Sequence, residues 1–233
     1  MNSSASISEY FCSFQGEGPY LGTKQFFIRF SDCNIPHCRF CDTINSSNKK
    51  KVFKDDLILS VLNEYKIHNF KEISLTGGEP LLYCDFIFNF LKDLFEENKF
   101  FIYLETNSTI SDAIPKIHSY IDMVSADFKF SSVTNQRSLA DKHTEFFKKL
   151  EEFQMDYFIK CVVNNNIDKK EFSQMCDIIL KNCKKRSLIL QPEMLDEQPQ
   201  ISFLEAEKLY DIAHQKGIET RIIPQTHKIL KFQ

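Results

Sequence analysis

The sequence predicts one α/β domain, built on a parallel sheet or a partial (β/α) barrel. Short β-rich runs alternate with segments of helical periodicity along most of the chain, and no low-complexity linker interrupts them. A length of 233 residues suffices for one full core and is too short for two sizeable domains joined by a linker. Because strands and helices alternate, we expect parallel strands within a single domain that covers residues 1–233.

Seven strands are predicted, with helical segments between most of them. The strands cover residues 25–30, 72–75, 100–104, 122–125, 157–163, 187–190 and 219–223. The helices cover residues 55–65, 85–98, 139–153, 169–182 and 202–216. The last helix begins with the capping-box pair Ser202 and Glu205 and is followed by Gly217, a residue favoured just past a helix end. Ligands of such folds bind at the carboxyl ends of the strands, so we expect the chemistry in the segments that follow them.

Charge and hydropathy exclude several classes of protein. The formal net charge of -3 gives no global basic field for non-specific nucleic-acid binding, so no nucleic-acid partner is expected. The first nine residues lack the charged and apolar regions of a signal peptide, and no apolar run reaches membrane-spanning length. We therefore expect a cytoplasmic protein without a membrane partner. In that compartment its eight cysteines should be metal ligands or buried thiols.

Three of the cysteines follow the first predicted strand within nine residues, at Cys33, Cys38 and Cys41. A structural zinc site needs four protein ligands, and the sequence has no second cysteine pair, although His37 or Cys12 could complete one. A [4Fe-4S] cluster held by three cysteines instead leaves one iron open to a small molecule, which makes the cluster catalytic. The triplet therefore favours a catalytic cluster over zinc.

A second motif, Thr76-Gly77-Gly78-Glu79-Pro80, directly follows the strand at 72–75. Paired glycines let the backbone approach a ligand closely, and the Glu79 carboxylate is an acceptor for an ammonium group. By itself the segment is more typical of an ordinary strand-to-helix turn. Its position one βα unit after the cysteines favours a ligand-binding loop.

Together the two motifs resemble the radical S-adenosylmethionine (SAM) superfamily. The cluster loop of that superfamily usually reads CxxxCxxC with an aromatic residue before the last cysteine, the position of Phe40, whereas here the first gap holds four residues. The resemblance implies a partial (β/α) barrel of the radical SAM type, with the active site at the C-terminal ends of the parallel strands. It also implies a [4Fe-4S] cluster on the three cysteines, and SAM bound by the Gly-Gly-Glu-Pro loop.

Other blocks resemble the 7-carboxy-7-deazaguanine synthase family. They are Ser13-Phe14-Gln15-Gly16-Glu17-Gly18, Gly22, Phe27, Arg29, Asp42-Thr43, Glu105-Thr106-Asn107, Ser125-Ala126-Asp127, Leu190-Gln191-Pro192 and Pro224-Gln225-Thr226-His227. Ser108 stands where the family often has glycine, and Ala126-Asp127 replaces a more usual Pro-Lys, with a lysine at Lys129. The resemblance implies a carbon–nitrogen lyase that converts 6-carboxy-5,6,7,8-tetrahydropterin to 7-carboxy-7-deazaguanine with loss of ammonia. This reaction belongs to the biosynthesis of queuosine and other 7-deazapurines.

The resemblance also implies cofactors and partners. The cofactors are the [4Fe-4S] cluster, SAM and Mg²⁺. The partners are the pterin substrate and an electron donor such as flavodoxin or ferredoxin, and the chain is expected to form a homodimer. In the implied reaction a 5′-deoxyadenosyl radical takes hydrogen from the substrate carbon that bears the carboxylate. No side chain is needed as an acid or base, so protein groups position and neutralise the reactants.

Candidate site residues complete the prediction. The resemblance implies SAM contacts from Phe40, Asp42, Gly77, Gly78, Glu79, Glu105, Ser125, Asp127, Lys160 and Gln191. It implies a Mg²⁺ ligand at Thr43, which could otherwise cap a helix. Arg29 is the candidate partner of the substrate carboxylate, because a guanidinium offers a bidentate fork and this one lies on the cluster-bearing strand. The other candidate substrate contacts are Ser13, Phe14, Gln15, Glu17, Thr76 and His227, of which Phe14 could stack and His227 is nearly as often structural.

Two alternatives stay open at this point. Another small radical SAM enzyme, such as a glycyl-radical activase, would share the cysteines and the Gly-Gly-Glu-Pro loop but would have no use for Gln15 to Gly18 or Thr43, and its partner would be a protein. A structural zinc protein or an electron-transfer iron–sulfur protein would need no SAM site.

Overall fold

A computed structural model describes residues 4–35, 38, 41 and 49–231 of the chain. The strands of this part are β1 (Ser4–Phe14), β2 (Lys24–Phe30), β3 (Lys50–Phe53), β4 (Glu72–Gly77), β5 (Phe101–Thr106), β6 (Met123–Asp127), β7 (Tyr157–Val163), β8 (Ser187–Pro192), β9 (Met194–Leu195), β10 (Gln198–Pro199) and β11 (Glu219–Ile222). The α-helices are α1 (Lys54–His68), α2 (Cys84–Glu97), α3 (Ile114–Ile117), α4 (Ser131–Thr134), α5 (Ala140–Glu152), α6 (Lys169–Asn182), α7 (Phe203–Gln215) and α8 (Thr226–Leu230).

One sheet carries the fold, in the strand order β11-β8-β7-β6-β5-β4-β2-β1-β3. From β2 to β11 the neighbours are parallel and follow one another along the chain, as in a partial (β/α) barrel. All seven predicted strands and all five predicted helices are present, so the predicted α/β fold is confirmed. The sequence did not predict β1 and β3, which pair antiparallel with β2 and β1 and extend the sheet beyond the first parallel strand.

Alternate side chains of the parallel strands point to opposite faces of the sheet. On β2, Phe26, Ile28 and Phe30 are buried in the core that the long helices cover, whereas Phe27 and Arg29 line the opposite, concave face. The strand registers align the corresponding residues of the neighbouring strands, which are Ser74, Thr76, Tyr103, Glu105, Ser125, Asp127, Phe158, Lys160, Val162, Ile189 and Gln191. The concave face is therefore the polar one.

A small apolar cluster lies on this face, nearer the amino-terminal ends of the strands. It consists of Tyr103, Phe158 and Ile189. Gly18 lies against it with a φ of +63°, and a Cβ there would approach the Phe158 ring to 2.9 Å. A glycine is required at this position both by its backbone conformation and by the close contact.

Within residues 4–35, 38, 41 and 49–231, no helix is both long enough and apolar enough to cross a bilayer.

Candidate active site

A cavity of about 420 Å³ opens on the concave face at the carboxyl ends of the parallel strands. Cys33, Cys38 and Cys41 line it together with polar residues from the ends of β4, β5, β6, β7 and β8. Its volume lies in the range of sites that enclose small molecules. Each strand that carries a sequence motif thus delivers residues to this one cavity, at the strand ends where the chemistry was expected.

Cys33, Cys38 and Cys41 each line the cavity. Ile35 N donates to Cys33 Sγ at 3.4 Å, and Cys41 N donates to the Cys38 carbonyl at 3.0 Å. Burial raises the pKa of the Cys38 thiol to about 11, although Lys129 opposes the shift. Such thiols become thiolates when a metal supplies the compensating charge.

The donors around the cavity fit an iron–sulfur cluster. Within the described ranges no group of three or more His, Cys, Asp or Glu side chains is already gathered closely enough to hold a metal ion. The three cysteines nevertheless line the same cavity, and soft thiolates are the ligands that iron–sulfur clusters use.

The two glycines after β4 are required by a close approach of the backbone. Gly77 has a φ of +112°, and a Cβ on it would lie 2.3 Å from the Phe30 carbonyl oxygen. A Cβ on Gly78 would lie 2.1 Å from the Asp32 carbonyl oxygen, while Gly78 N donates to Phe30 O at 2.8 Å. Both glycines line the cavity, but their nearest neighbours are the residues that lead into the cysteine segment. They therefore hold Phe30 and Asp32, which precede Cys33, against the end of β4.

The structure corrects the expectation that the Glu79 carboxylate faces a ligand. Glu79 is fully buried behind the cavity wall, where it accepts hydrogen bonds from Leu81 N at 3.0 Å, Thr106 Oγ1 at 2.8 Å and Asn107 N at 2.7 Å. Burial raises its pKa to about 7 against these three donors. Glu79 ties the loop after β4 to the end of β5.

A polar triangle that the sequence did not predict lies beside the first cysteine. Asn107 Nδ2 donates to Asn34 Oδ1 at 2.8 Å, Asn34 Nδ2 donates to Thr109 Oγ1 at 2.8 Å, and Thr109 Oγ1 donates to Asn107 Oδ1 at 2.6 Å. Asn107 Nδ2 also lies 3.7 Å from Cys33 Sγ. The closed triangle holds Asn34 next to Cys33.

The Glu105 carboxylate accepts hydrogen bonds from side chains of β4 and of the segment after β1. Its Oε1 accepts from Gln15 Nε2 at 2.9 Å and from Ser74 Oγ at 3.3 Å, and its Oε2 accepts from Thr76 Oγ1 at 3.0 Å. Gln15 Oε1 in turn accepts from Glu17 N at 3.1 Å. The predicted Gln15, Thr76 and Glu105 thus share one hydrogen-bonded wall of the cavity.

Four charged side chains alternate in sign across the cavity. Lys160 pairs with Glu17 and lies 3.8 Å from Asp127 Oδ2, to which Lys129 Nζ donates at 2.6 Å. Burial alone would raise the pKa of Glu17. The positive charge of Lys160 and the hydrogen bond donated by Gln225 outweigh burial and lower this pKa to about 2. The formal charges of the network cancel, because two lysines face two carboxylates.

Two buried acceptor oxygens in this region point to a ligand. Asp127 Oδ1 and Gln191 Oε1 have no hydrogen-bond partner among the described residues, and both side chains line the cavity. A buried acceptor left without a donor is costly. We therefore expect a bound molecule to supply donors here, next to the predicted Ser125 and Lys160.

His143 supports the loop after β6 and is a residue that sequence reasoning missed. Its Nε2 accepts from Lys129 N at 3.1 Å, which places the ring proton on Nδ1, 3.2 Å from the Ser108 carbonyl. Burial lowers its pKa to about 4, so the ring is neutral. Ser108 has a φ of +57°, a left-handed conformation that favours glycine and that agrees with the glycine often found there in the family.

The segment after β11 brings His227 to the cavity. Thr226 N donates to Gly16 O at 2.9 Å, and Gln225 Nε2 donates to Glu17 Oε1 at 2.7 Å. Gly16 leaves the space for the imidazole, since a Cβ there would lie 2.3 Å from His227 Nδ1. A larger residue at position 16 would therefore displace the His227 side chain.

The remaining predicted residues divide into three groups. Phe14 and Arg29 line the cavity, while Ser13 pairs with Gln25 between β1 and β2 and does not line it. Phe40, Asp42 and Thr43 lie outside the described residues.

Comparison with known proteins agrees with this geometry. The family model described as the radical SAM superfamily matches residues 28–175. A 7-carboxy-7-deazaguanine synthase of Geobacter sulfurreducens is 30% identical over 97% of this chain and 97% of its own. The protein of the same name from Methanopyrus kandleri is 31% identical over 97% of this chain and 93% of its own. Among solved structures, QueE from Escherichia coli matches with a TM-score of 0.62 at 18% identity, over 95% of this chain and 94% of that one, which shows a shared fold.

The partial barrel and its three-cysteine cavity define a radical SAM enzyme. The chain belongs to the radical SAM superfamily and, within it, to the 7-carboxy-7-deazaguanine synthase family. It is thus a lyase of the radical SAM type, and its superfamily implies a [4Fe-4S] cluster and SAM as cofactors.

Proposed function

We propose that this enzyme converts 6-carboxy-5,6,7,8-tetrahydropterin to 7-carboxy-7-deazaguanine with release of ammonia, in a Mg²⁺-dependent reaction of queuosine or other 7-deazapurine biosynthesis. The observation that carries the proposal is the cavity, which gathers the three cysteines and the predicted Gln15, Arg29 and His227 around one space of about 420 Å³. Relatives that bear the name of this activity match nearly the whole chain.

The three cysteines would hold the cluster, and the neighbouring strand ends would hold SAM. When bound and reduced, the cluster supplies the electron that cleaves SAM. Gly77 and Gly78 present backbone to the cavity beside the cysteines. Ser125, Asp127, Lys160 and Gln191 line its far side, where the unpartnered oxygens of Asp127 and Gln191 would accept hydrogen bonds from the amino group or hydroxyls of SAM.

The substrate would lie between Arg29 and the loop of Gln15 and Glu17. A guanidinium complements the substrate carboxylate. Because the Gln15 amide nitrogen donates to Gln25 and Glu105, the Gln15 side-chain oxygen and the ionised carboxylate of Glu17 would accept hydrogen bonds from the N–H groups of the pterin edge. Thr76, His227 and Phe14 line the same space, and the Phe14 ring would stack on the pterin. These groups would hold the substrate without exchanging protons with it.

Three further parts of the proposal rest on the family resemblance. Thr43 would bind Mg²⁺ next to the substrate carboxylate, since Mg²⁺ takes few protein ligands and completes its shell with water and substrate oxygens. A flavodoxin or ferredoxin would deliver the electron. The enzyme would act as a homodimer. A Thr43→Ala variant should weaken the Mg²⁺ dependence of turnover.

Anaerobic reconstitution tests the proposal. The reconstituted protein, with SAM, a reductant, Mg²⁺ and the carboxytetrahydropterin, should form 7-carboxy-7-deazaguanine, detected by mass spectrometry. Cys41→Ser should abolish both the four-iron absorbance and 5′-deoxyadenosine formation, whereas Cys12→Ser, at an equally half-buried thiol away from the cavity, should preserve both. Formation of 5′-deoxyadenosine without the deazaguanine would disprove the proposed substrate and leave the superfamily intact.

A further inference from the structure

A β-bulge near the beginning of β1 sets which side chain faces Arg29. Ile7 pairs with Phe30, but the next pair is Glu9 with Arg29, so one extra residue, Ser8, lies on the β1 side. Ser8 is buried, and its Oγ donates to the Arg29 carbonyl at 3.1 Å. Without the bulge, Ser8 would oppose Arg29. Bulges often re-aim side chains next to functional sites.

Glu9 and Phe11 hold the Arg29 guanidinium on the cavity wall. Arg29 Nε donates to Glu9 Oε1 at 2.8 Å, and this is the one hydrogen bond that its side chain makes to the described residues. The Arg29 Cζ lies 6.0 Å from the centre of the Phe11 ring. All three side chains line the cavity.

We infer that Glu9 is a positioning residue, which orients Arg29 to bind the carboxylate of the substrate. The inference deepens the proposed function and rests on it. An arginine can meet a carboxylate with two parallel hydrogen bonds along either of two edges. Because Glu9 occupies Nε, the edge formed by Nη1 and Nη2 is the one left for the substrate.

Glu9 has two opposing effects on this binding. By fixing the guanidinium it removes side-chain freedom that would otherwise be lost when the substrate binds. Its negative charge also repels the incoming carboxylate, although the repulsion is screened because the Glu9 side chain is 42% exposed. Orientation and charge must therefore be separated by experiment, and glutamine does so because it keeps an oxygen acceptor for Nε without the charge.

The test compares steady-state kinetics of the reconstituted holoenzyme with the carboxytetrahydropterin. Glu9→Ala should raise KM by about two- to tenfold, the cost of immobilising one flexible side chain on binding, with a smaller effect on kcat. Glu9→Gln should restore a KM close to that of the unchanged protein. Glu219→Ala is the matched control, because it breaks a strand Glu–Arg ion pair with Arg221, which does not line the cavity. Its KM should not change.

Each alternative outcome has a distinct meaning. If Arg29→Lys raises KM, two results would overturn the positioning role of Glu9. One is an unchanged KM in Glu9→Ala, and the other is a rise in the KM of Glu9→Gln as large as that of Glu9→Ala. An Arg29→Lys variant with normal KM would overturn the carboxylate site and the inference with it. No turnover of this pterin by the unchanged holoenzyme would overturn the proposed function itself. Thermal unfolding of both Glu9 variants should match that of the control, which separates positioning from a loss of fold.

Discussion

Replacing Glu17 by glutamine should destabilise the protein in a pH-dependent way. Glu17 pairs with Lys160, and their side chains are only 15% and 8% exposed. The substitution removes the negative charge but keeps a side chain of similar shape. Lys160 then has Asp127 as its nearest anion, at 3.8 Å. The lysine is not stranded, so the expected loss lies at the lower end of the range for breaking a buried ion pair, about 3 kcal/mol.

The pKa of Glu17 gives an independent figure. Lys160 and Gln225 lower it from an ordinary 4.5 to about 2 despite burial. At about 1.4 kcal/mol per tenfold change in proton affinity, this corresponds to roughly 3 kcal/mol of stability at neutral pH. Because the folded pKa lies below the unfolded one, the contribution is fully present above pH 4.5 and is lost as the pH falls toward 2.

Urea denaturation of the metal-free protein under reducing conditions, followed by circular dichroism, measures this loss. At pH 7 we expect the free energy of unfolding of Glu17→Gln to be about 3 kcal/mol lower than that of the unchanged protein, and the gap to narrow between about pH 4.5 and pH 3. Glu205→Gln is the control. The pKa of Glu205 is also about 2, lowered by Lys169 and Lys208, but these are surface pairs that solvent screens. For Glu17→Gln, a difference in the free energy of unfolding below about 1 kcal/mol at pH 7, or a difference that does not depend on pH, would refute the reasoning.

Three further predictions concern the supports of the cavity. The His143 imidazole, with a pKa lowered to about 4 by burial, should stay neutral from pH 8 down to pH 5 in ¹⁵N NMR spectra, and a midpoint near 6.5 would contradict its burial. Gly16→Ala should raise KM for the pterin, because its Cβ would displace the His227 ring, and an unchanged KM would show that His227 does not contact the substrate. Lys129→Met should weaken equilibrium binding of S-adenosylhomocysteine about tenfold, because it removes the charged hydrogen bond that orients Asp127, a proposed SAM contact, and undiminished binding would show that Lys129 does not orient Asp127 for SAM.

The parallel half of the fold was predictable because its signals are local. Most of the predicted strands are apolar runs followed by a helical pattern, and the order of the parallel strands in the sheet then follows their order along the chain. The strand β1 was missed for a physical reason. Ala5 and Ile7 alternate with polar neighbours and are buried, but the bulge at Ser8 shifts the phase, so no single period describes Ser4–Phe14.

The sequence predicted where the site lies in the fold better than it predicted the direction in which each side chain points. Glu105 lies within β5, where alternation assigns it to the concave face, and it does line the cavity. Glu79 lies beyond the end of β4 in a tight turn, where no periodicity fixes the direction of its carboxylate, and there it turns inward. His143 comes from a helix that reaches the loop after β6 only in the folded chain, so its sequence position gave no signal.

The charges across the cavity explain why an acid stands at position 127, where the family more usually has a lysine. Asp127 lies between two cations, Lys129 and Lys160, and Lys160 is already committed to Glu17. A lysine at 127 would bring three cations together against one anion, and each close pair of like charges costs about 4 kcal/mol at the effective dielectric of a protein surface. With Asp127 in place the four charges cancel, and Lys129 restores a cation two residues further on. The departure at 127 is therefore compensated within the same loop.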